Sequence, residues 1–553
     1  MLLIVFTANK ALFAKKSVSN CKEIQLIQNL KDNTLNFEKR LYDFNKMDSS
    51  VYKKGISDVE RLIESYISLN SQFPDSNFIY QAFIYLNKMK NIKLLYLFKQ
   101  AAHPESIRFN YLLLIKQPVD VSYLQRKLLN DHEVILDYWI SEDEIFVFVL
   151  AKDSLQLVSW TVPINRTKQH IYALLLSFYQ DVNLLQLEFD YRTSHQLYQS
   201  LFQPLEQHIQ QYKVAFIIPD DFLTGFPFEL LVTDTTLNKK QKKNIYYHRY
   251  SKFSYLINKY AICYNYSSGI LAALTNQDRS TKKLGRRLLA MSEPIISQKA
   301  ENFARRVGEI SLRDIEISEY SADEIKRVAR LLWRHDILTK DKVTKKYLFD
   351  QGRSYRWLYF ALPGILTNSN PLNSGILFTQ EPNDSTNLSS WLTVDKAMQI
   401  NLSADLLTLS GCQLIPFNKN KNPGVIALPQ SFLFSGIQSV LFSLWKVNSI
   451  STSQFMSKFY WELKYKRQTN ARALQEAKIA SMKDTFHYSG KIISRSHPYF
   501  WAAFELIGNP KIRPPSPTKI PPWGVVTIVY IIVMLVSFLI IRKTMPKTRN
   551  SNP

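Results

Sequence analysis

The chain has 553 residues, which is enough for two or three domains and a large core. Hydrophobic residues make up 46% and charged residues 21%, which excludes an intrinsically disordered protein. Cys21, Cys263 and Cys412 lie far apart and form no C-x-x-C pair. This pattern excludes a disulfide framework and a cysteine zinc site, and it is typical of a reducing compartment.

The formal net charge of +24 allows two interpretations. Basic residues cluster in loop-like runs at 239–243, 282–287 and 340–346. Such runs indicate solvated loops, or a surface attracted to anionic lipid headgroups or nucleic acid.

Residues 18–101 are predicted to be helical. Apolar residues recur at i, i+3 and i+4 in 59–67 and again in 80–98. No 34-residue repeat is detectable, so we interpret residues 1–105 as a helical cap on the next domain or a vestigial tetratricopeptide array.

From Val119 onward the pattern changes to alternating strands and helices. After a short predicted helix at 123–128, β-branched and aromatic residues predict strands over 133–140, 144–150 and 154–162, the first two joined by a tight turn at 141–143. A helix through 192–198 and a strand over 214–219 follow, and the alternation continues to Pro510. It predicts an α/β sheet with helices on both faces.

The C-terminal end predicts a membrane anchor. Residues 511–523 are a proline-rich linker, 524–541 are 18 residues without a charge, and 542–553 are a basic tail. The uncharged run is long enough for a transmembrane helix of about 27 Å. The apolar run at 1–6 is too short for an export signal. We therefore expect a single-pass membrane protein with a C-terminal anchor and a cytoplasmic body.

Two predicted strands carry the candidate catalytic site. The strand 405–409 runs into Ser410-Gly411-Cys412, a small-residue turn that would present a thiol at the sheet edge. Caspase-type enzymes keep a histidine about 50 residues before such a cysteine. Here the strand 357–361 lies at that distance, but Pro363 occupies the place of the histidine, 49 positions before Cys412. Proline has no ionisable group and cannot accept the proton of a thiol.

Several ordered motifs over roughly residues 78–510 resemble the CHAT-domain family, whose caspase-like domains often follow tetratricopeptide repeats. The segments that carry the resemblance are 219–231 (P-D-x-x-L-x-x-x-P-F-E-x-L), 255–268, 409–413 (L-S-G-C-Q), 432–447 and 497–508. The resemblance implies a caspase-like sheet flanked by helices and a cysteine peptidase site. Family members read A-T-H-G where this chain has Ala361-Leu362-Pro363-Gly364, and they carry threonine where it has Leu414.

Without a partner base, Cys412 should titrate near the free-thiol value of about 8.5 and act either as a reactive thiol or as a buried core residue. His497 belongs to the closing family motif, which indicates a structural role. We interpret four carboxylates as turn and strand-edge residues rather than substrate ligands: Asp220, Asp221, Glu229 and Asp405. The absence of H-E-x-x-H, Walker and G-x-G-x-x-G motifs predicts no metal and no cofactor.

The expected fold class is therefore α/β, with a caspase-like sheet over 106–510 after a small helical region and before a transmembrane helix. The expected function is a membrane-anchored, catalytically inactive module that binds a protein or peptide. One alternative is an active cysteine endopeptidase that uses Cys412 and an unidentified base. The other is a basic surface for anionic lipid or nucleic acid, of which nucleic acid is disfavoured. The sequence leaves the oligomeric state open.

Overall fold

A computed structural model describes most of the chain. The described residues are 19–41, 49–73, 77–99, 119–179, 183–235, 245–275, 288–296, 321–332, 334–365, 371–380, 390–410, 427–513 and 533–537. They divide into two units, Met1–Ile512 and Arg513–Pro553. The second unit is described only at Arg513 and in a short helix over 533–537.

The helices of the first unit range from single turns to more than six turns. In chain order they are α1 (Ser19–Leu41), α2 (Ser49–Gln72), α3 (Phe78–Lys99), α4 (Val121–Tyr123), α5 (Ile164–Tyr179), α6 (Tyr191–Leu201), α7 (Glu206–Ile209), α8 (Ser268–Thr275), α9 (Ser321–Leu331), α10 (Lys345–Gln351), α11 (Val394–Gln399), α12 (Ala427–Phe434), α13 (Ser449–Trp461) and α14 (Asn470–Ser481). A π-helical turn, Leu124–Leu128, continues α4.

The strands are mostly short and apolar. In chain order they are β1 (Glu133–Ile140), β2 (Glu144–Ala151), β3 (Ser154–Thr161), β4 (Val214–Ile218), β5 (Val232–Asp234), β6 (Ser254–Tyr255), β7 (Ala261–Tyr264), β8 (Leu288–Pro294), β9 (His335–Lys340), β10 (Trp357–Ala361), β11 (Gly364–Ile365), β12 (Gly375–Leu377), β13 (Trp391–Thr393), β14 (Leu406–Leu409), β15 (Ser439–Ser443), β16 (Thr485–Tyr488), β17 (Lys491–Ser494) and β18 (Phe504–Gly508).

Eleven of these strands form one mixed sheet, in the order β3-β2-β1-β4-β7-β18-β15-β14-β10-β8-β9. Strands β1, β4, β7 and β18 run parallel to one another, and so do β15, β14, β10, β8 and β9. The two parallel runs meet where β15 pairs antiparallel with β18. They therefore point in opposite directions, and their carboxyl ends lie at opposite edges of the sheet.

Helices cover both faces of the central strands, which explains why these strands are apolar without alternation. Every residue of β10, β14 and β15 is buried. The β1–β2–β3 meander at one end of the sheet is antiparallel, and exposed residues return in β3.

A buried ion pair attaches α3 to the sheet. Lys90 donates to Asp137 of β1 with an Nζ–Oδ1 distance of 2.7 Å, and both side chains are at most 3% exposed. Asn87 and Ser268 also donate to the other carboxylate oxygen of Asp137, at 3.1 and 3.0 Å. The N-terminal helical region is thus joined to the sheet through its last helix, while the domain boundary near residue 105 stays a prediction.

The structure confirms the predicted α/β sheet and its early elements. The predicted strands at 133–140, 144–150, 154–162 and 214–219 are β1 to β4, to within one residue at each end. The predicted turn at 141–143 closes through a hydrogen bond from Ser141 N to Glu144 O of 3.0 Å. Hairpins and strands depend on residues that are close together in the sequence, so the sequence alone could predict them.

The structure contradicts the predicted transmembrane helix and the predicted membrane localisation. None of the helices in the described residues is long and apolar enough to cross a membrane. Within 524–541 only residues 533–537 are described. The rest of that segment, with 514–523 and 542–553, lies outside the described residues.

Loss of the Lys90 ammonium should strongly destabilise the protein, because Asp137 would keep its burial and lose its countercharge. We expect Lys90→Met to lower the free energy of unfolding by about 3–5 kcal/mol, as measured by urea denaturation. Lys93→Met on the same helix is the matched control. Lys93 pairs with Glu60 at 3.6 Å, and both side chains are about one third exposed, so we expect a change of about 0.5 kcal/mol or less. Equal effects of the two substitutions would contradict this role for Lys90.

Candidate functional site

The candidate site lies at the edge where β10 and β14 end. The two strands are parallel neighbours, and their register pairs Phe360 with Leu409. The next hydrogen bond, from Ser410 N to Phe360 O at 3.1 Å, continues the pairing by one residue. Pro363 and Cys412 each follow three residues after that register pair.

Pro363 is held firmly at this edge. It is buried, and its carbonyl accepts a hydrogen bond from Leu377 N of 2.9 Å. That bond leads the chain into a small second sheet formed by β11, β12 and β13. Cys412 belongs to the segment 411–426, which lies outside the described residues. The assignment of Cys412 as the nucleophile position therefore stays a prediction, whereas the strand that leads to it is present.

His335 is the histidine nearest to Pro363 in the chain, and it lies at the opposite edge of the sheet. It is the first residue of β9 and pairs with Leu288, which in turn pairs with Trp357. Pro363 lies six residues beyond Trp357 along β10 and its continuation. At about 3.3 Å per residue, His335 therefore lies roughly 20 Å from Pro363 along the strand direction. His335 is therefore too far from this edge to act as a base there.

His497 has the environment of a structural residue. Its side chain is fully buried, and Nδ1 accepts a hydrogen bond from Tyr499 N of 3.1 Å. The imidazole lies 4.7 Å from the ring of Tyr250 and 5.1 Å from that of Tyr247. Burial, with the nearby charge of Arg249, lowers the pKa of His497 to about 3. The ring is therefore neutral at physiological pH and enclosed by aromatic groups, in agreement with the interpretation from the sequence.

Sequence reasoning missed a buried carboxyl group behind the site. Glu324 of α9 is 4% exposed and accepts a hydrogen bond of 2.5 Å from the Tyr359 hydroxyl of β10. Burial raises the pKa of Glu324 to about 7, although the hydroxyls of Ser410 and Tyr359 oppose the rise. The carboxyl thus contacts β10, one of the two strands that lead to the candidate site. In the sequence, the burial of Glu324 could have been predicted from its position on the apolar face of α9, one turn before the buried Val328.

Two of the four carboxylates singled out in the sequence hold turns in place. Asp220 accepts a hydrogen bond from Ile140 N of 3.0 Å, and Asp221 pairs with Lys168 at 3.0 Å. Asp221 also has a φ of +45°, a conformation that L residues adopt rarely and that occurs mainly in turns.

The other two carboxylates form ion pairs. Asp405 pairs with Arg356, which immediately precedes β10. Glu229 pairs with Lys478 of α14 at 2.7 Å, and both side chains are fully buried. All four carboxylates therefore have structural partners. Within the described part of the chain, no group of three or more His, Cys, Asp or Glu side chains could hold a metal ion.

The raised pKa of Glu324 predicts a specific pH dependence of stability. Below its ordinary value of 4.5 the carboxyl is protonated in both the folded and the unfolded protein. As the pH rises from 4.5 to about 7, only the unfolded state loses this proton, so stability falls, and the loss levels off above pH 7. The total loss should be about 3 kcal/mol.

Glu324→Gln keeps an oxygen that can accept the Tyr359 hydrogen bond and removes the titration. The difference in unfolding free energy between wild type and variant, measured by urea denaturation from pH 4.5 to 8, should follow the predicted curve. Parallel pH profiles for the two proteins would refute the assignment.

Comparisons with known proteins agree with the family motifs. The family model described as "CHAT domain" matches residues 191–509, more than half of the chain. Tetratricopeptide repeat protein 28 of Homo sapiens is 32% identical over 126 residues, and its Mus musculus counterpart is 31% identical over the same length. These matches cover 23% of this chain and only 5% of each relative.

Among solved structures, the separase–securin complex of Saccharomyces cerevisiae matches with a TM-score of 0.47 and 9% identity, over 89% of this chain and 40% of that one. The pro- and mature domains of Porphyromonas gingivalis RgpB match with a TM-score of 0.32 and 10% identity, over 63% and 76% of the two chains. Likeness at this level supports no inference about activity. The match over 191–509 does establish the family, and the chain belongs to the CHAT domain family.

Proposed function

We propose that this protein is a protein- or peptide-binding member of the CHAT family that does not act as a peptidase. The observation that carries the proposal is Pro363, a buried proline at the end of β10, where the family has its histidine. A thiol nucleophile needs a base to form the thiolate, and the leaving amine needs an acid. Loss of such a partner commonly lowers the rate by a factor of thousands.

Restoring the imidazole should restore thiol reactivity. At a pKa of about 8.5, a few per cent of Cys412 is thiolate at pH 7, whereas a histidine partner would raise that fraction about tenfold. In a Cys21→Ser background, Pro363→His should therefore increase the rate of iodoacetamide labelling at Cys412 by about tenfold at pH 7. Peptide mapping by mass spectrometry locates the label.

Cys263 is the internal control for this experiment. It is fully buried, and burial raises the pKa of its thiol well above the ordinary value, so it should stay unlabelled in the folded protein. The proposal fails if the wild-type protein labels at Cys412 as fast as the Pro363→His variant and also cleaves a fluorogenic peptide library in a Cys412-dependent way.

An open groove between α9, α13 and α14 supports the binding role. It has a volume of about 450 Å³ and is flanked by Trp461, which is 40% exposed. Tyr465, which follows α13 and is 53% exposed, lies beside Trp461 with ring centroids 6.0 Å apart. Exposed tryptophan and tyrosine side chains are enriched at the centres of protein interfaces.

The charges of the groove favour a basic partner segment. Glu462 and Glu476 both line it, and burial together with the charge of Glu476 raises the pKa of Glu462. Lys458 also lines the groove but pairs with Asp484 at 3.1 Å. Lys466 lies 5.4 Å from the Trp461 ring, and its charge opposes but does not reverse the rise at Glu462. A lysine or arginine next to an apolar side chain would relieve the repulsion between the two carboxylates.

Panning a phage-displayed random peptide library on the full-length protein tests this groove. We expect enrichment of peptides that combine a basic residue with an apolar one, and a loss of binding of about tenfold or more in Trp461→Ala. The matched control is Tyr488→Ala, which removes another exposed aromatic side chain, on β16. Binding that survives Trp461→Ala, or enrichment of acidic peptides, would exclude this docking surface.

A further inference from the structure

A small cavity lies between the large sheet and α12, beside the carboxyl ends of β4 and β7. Tyr264 of β7, Glu505 and Ile507 of β18, and Gln430 of α12 contribute to its wall. Its volume is about 30 Å³. A single water molecule needs a cavity of roughly 10–15 Å³, so this cavity has room for a small ion with one or two waters.

Three buried polar side chains line this cavity with oxygen atoms that have no hydrogen-bond partner among the described residues. They are both carboxyl oxygens of Glu505, Oδ1 of Asn265 and Oε1 of Gln430. Glu505 is 1% exposed, Asn265 4% and Gln430 7%. Asn265 donates its Nδ2 to the carbonyl of Gly508 at 2.8 Å, which leaves its oxygen as the free end. Because buried polar atoms nearly always have partners, four unpaired acceptors in one small cavity require an explanation.

The charges around the cavity, like its unpaired oxygen atoms, favour a positively charged ligand. Glu229 and Lys478 form a fully buried ion pair that neutralises itself, and Tyr264 donates to the second oxygen of Glu229 at 2.5 Å. Glu505 then adds a second carboxyl group near this pair without a second cation. Ionised Glu505 would leave this buried cluster with one uncompensated negative charge, which is costly at low dielectric.

We propose that this cavity binds one monovalent metal cation, Na⁺ or K⁺, through the carboxylate of Glu505 and the amide oxygens of Asn265 and Gln430. Carboxylate and amide oxygens are the ligands that hard cations prefer. One positive charge balances the cluster, whereas a divalent ion would leave a buried positive excess.

Thermal unfolding of the full-length protein in different chloride salts tests the site. At pH 8.5 and equal ionic strength, we expect saturating KCl or NaCl to raise Tm by about 2–4 °C relative to N-methyl-D-glucamine chloride. CaCl₂ and MgCl₂ at matched ionic strength should stabilise less than KCl and NaCl.

Three variants separate a cation site from a neutral buried carboxyl. Glu505→Gln should abolish the difference between KCl and N-methyl-D-glucamine chloride. Gln430→Met, which removes one ligand oxygen at nearly constant volume, should raise the KCl concentration needed for half of the effect about tenfold and keeps the test open if Glu505→Gln fails to fold. Glu324→Gln, which alters a buried carboxyl outside this cavity, should retain the full response.

The proposal is overturned by equal Tm values in KCl and N-methyl-D-glucamine chloride. It is also overturned if the response persists in Glu505→Gln, or if CaCl₂ stabilises more than KCl at the same pH. The reactivity of Cys412 has no part in these measurements, so their outcome is independent of the proposed lack of peptidase activity.

Discussion

The ion pair between Glu229 and Lys478 is the constraint on which the arrangement of the sheet depends. Glu229 lies in a 3₁₀ turn (Phe228–Leu230) between β4 and β5, and Lys478 lies on α14, 249 residues later. Both charges are fully buried at 2.7 Å, so neither can be satisfied by water if the other moves. Breaking such a pair leaves an isolated buried charge, which costs several kcal/mol. The pair therefore holds α14 in one position against the sheet.

That position matters because α14 packs where the two parallel runs of the sheet meet. It contacts β7 and β18, and Gln475 on the same helix donates to the carbonyl of Ile257 at 2.7 Å. The antiparallel pairing of β15 with β18 then orients the two runs in opposite directions. As a result the molecule has two carboxyl edges. The strand ends that lead to Pro363 and Cys412 lie at one edge, and the cavity beside β4 and β7 lies at the other.

The strands β10 and β14 form the scaffold of the candidate site. Strands β10 and β14 are apolar and pair in register, which brings Phe360 and Leu409 to the same level of the sheet. Pro363 fits this place because it needs no partner for an N–H group, while its carbonyl bonds to Leu377. The geometry of the strands is thus compatible with a residue that has no acid–base chemistry. Family membership in this case specifies the scaffold, and the residues at the edge specify the chemistry.

Local patterns in the sequence determined the strand meander of β1 to β3, the strands β10 and β14 and the family motifs, because runs of apolar residues and short motifs need no distant partner to be recognised. Hydropathy alone led to a wrong prediction at 524–541. Tertiary structure decided the rest. Glu505 and Lys478 look like ordinary surface charges in the sequence. Only contacts with residues far away in the chain, such as the pairing of Lys478 with Glu229 across 249 residues, show that both are buried, that Lys478 is paired and that the pKa of Glu505 is raised. The raised pKa of Glu324 likewise depends on its burial in the folded protein.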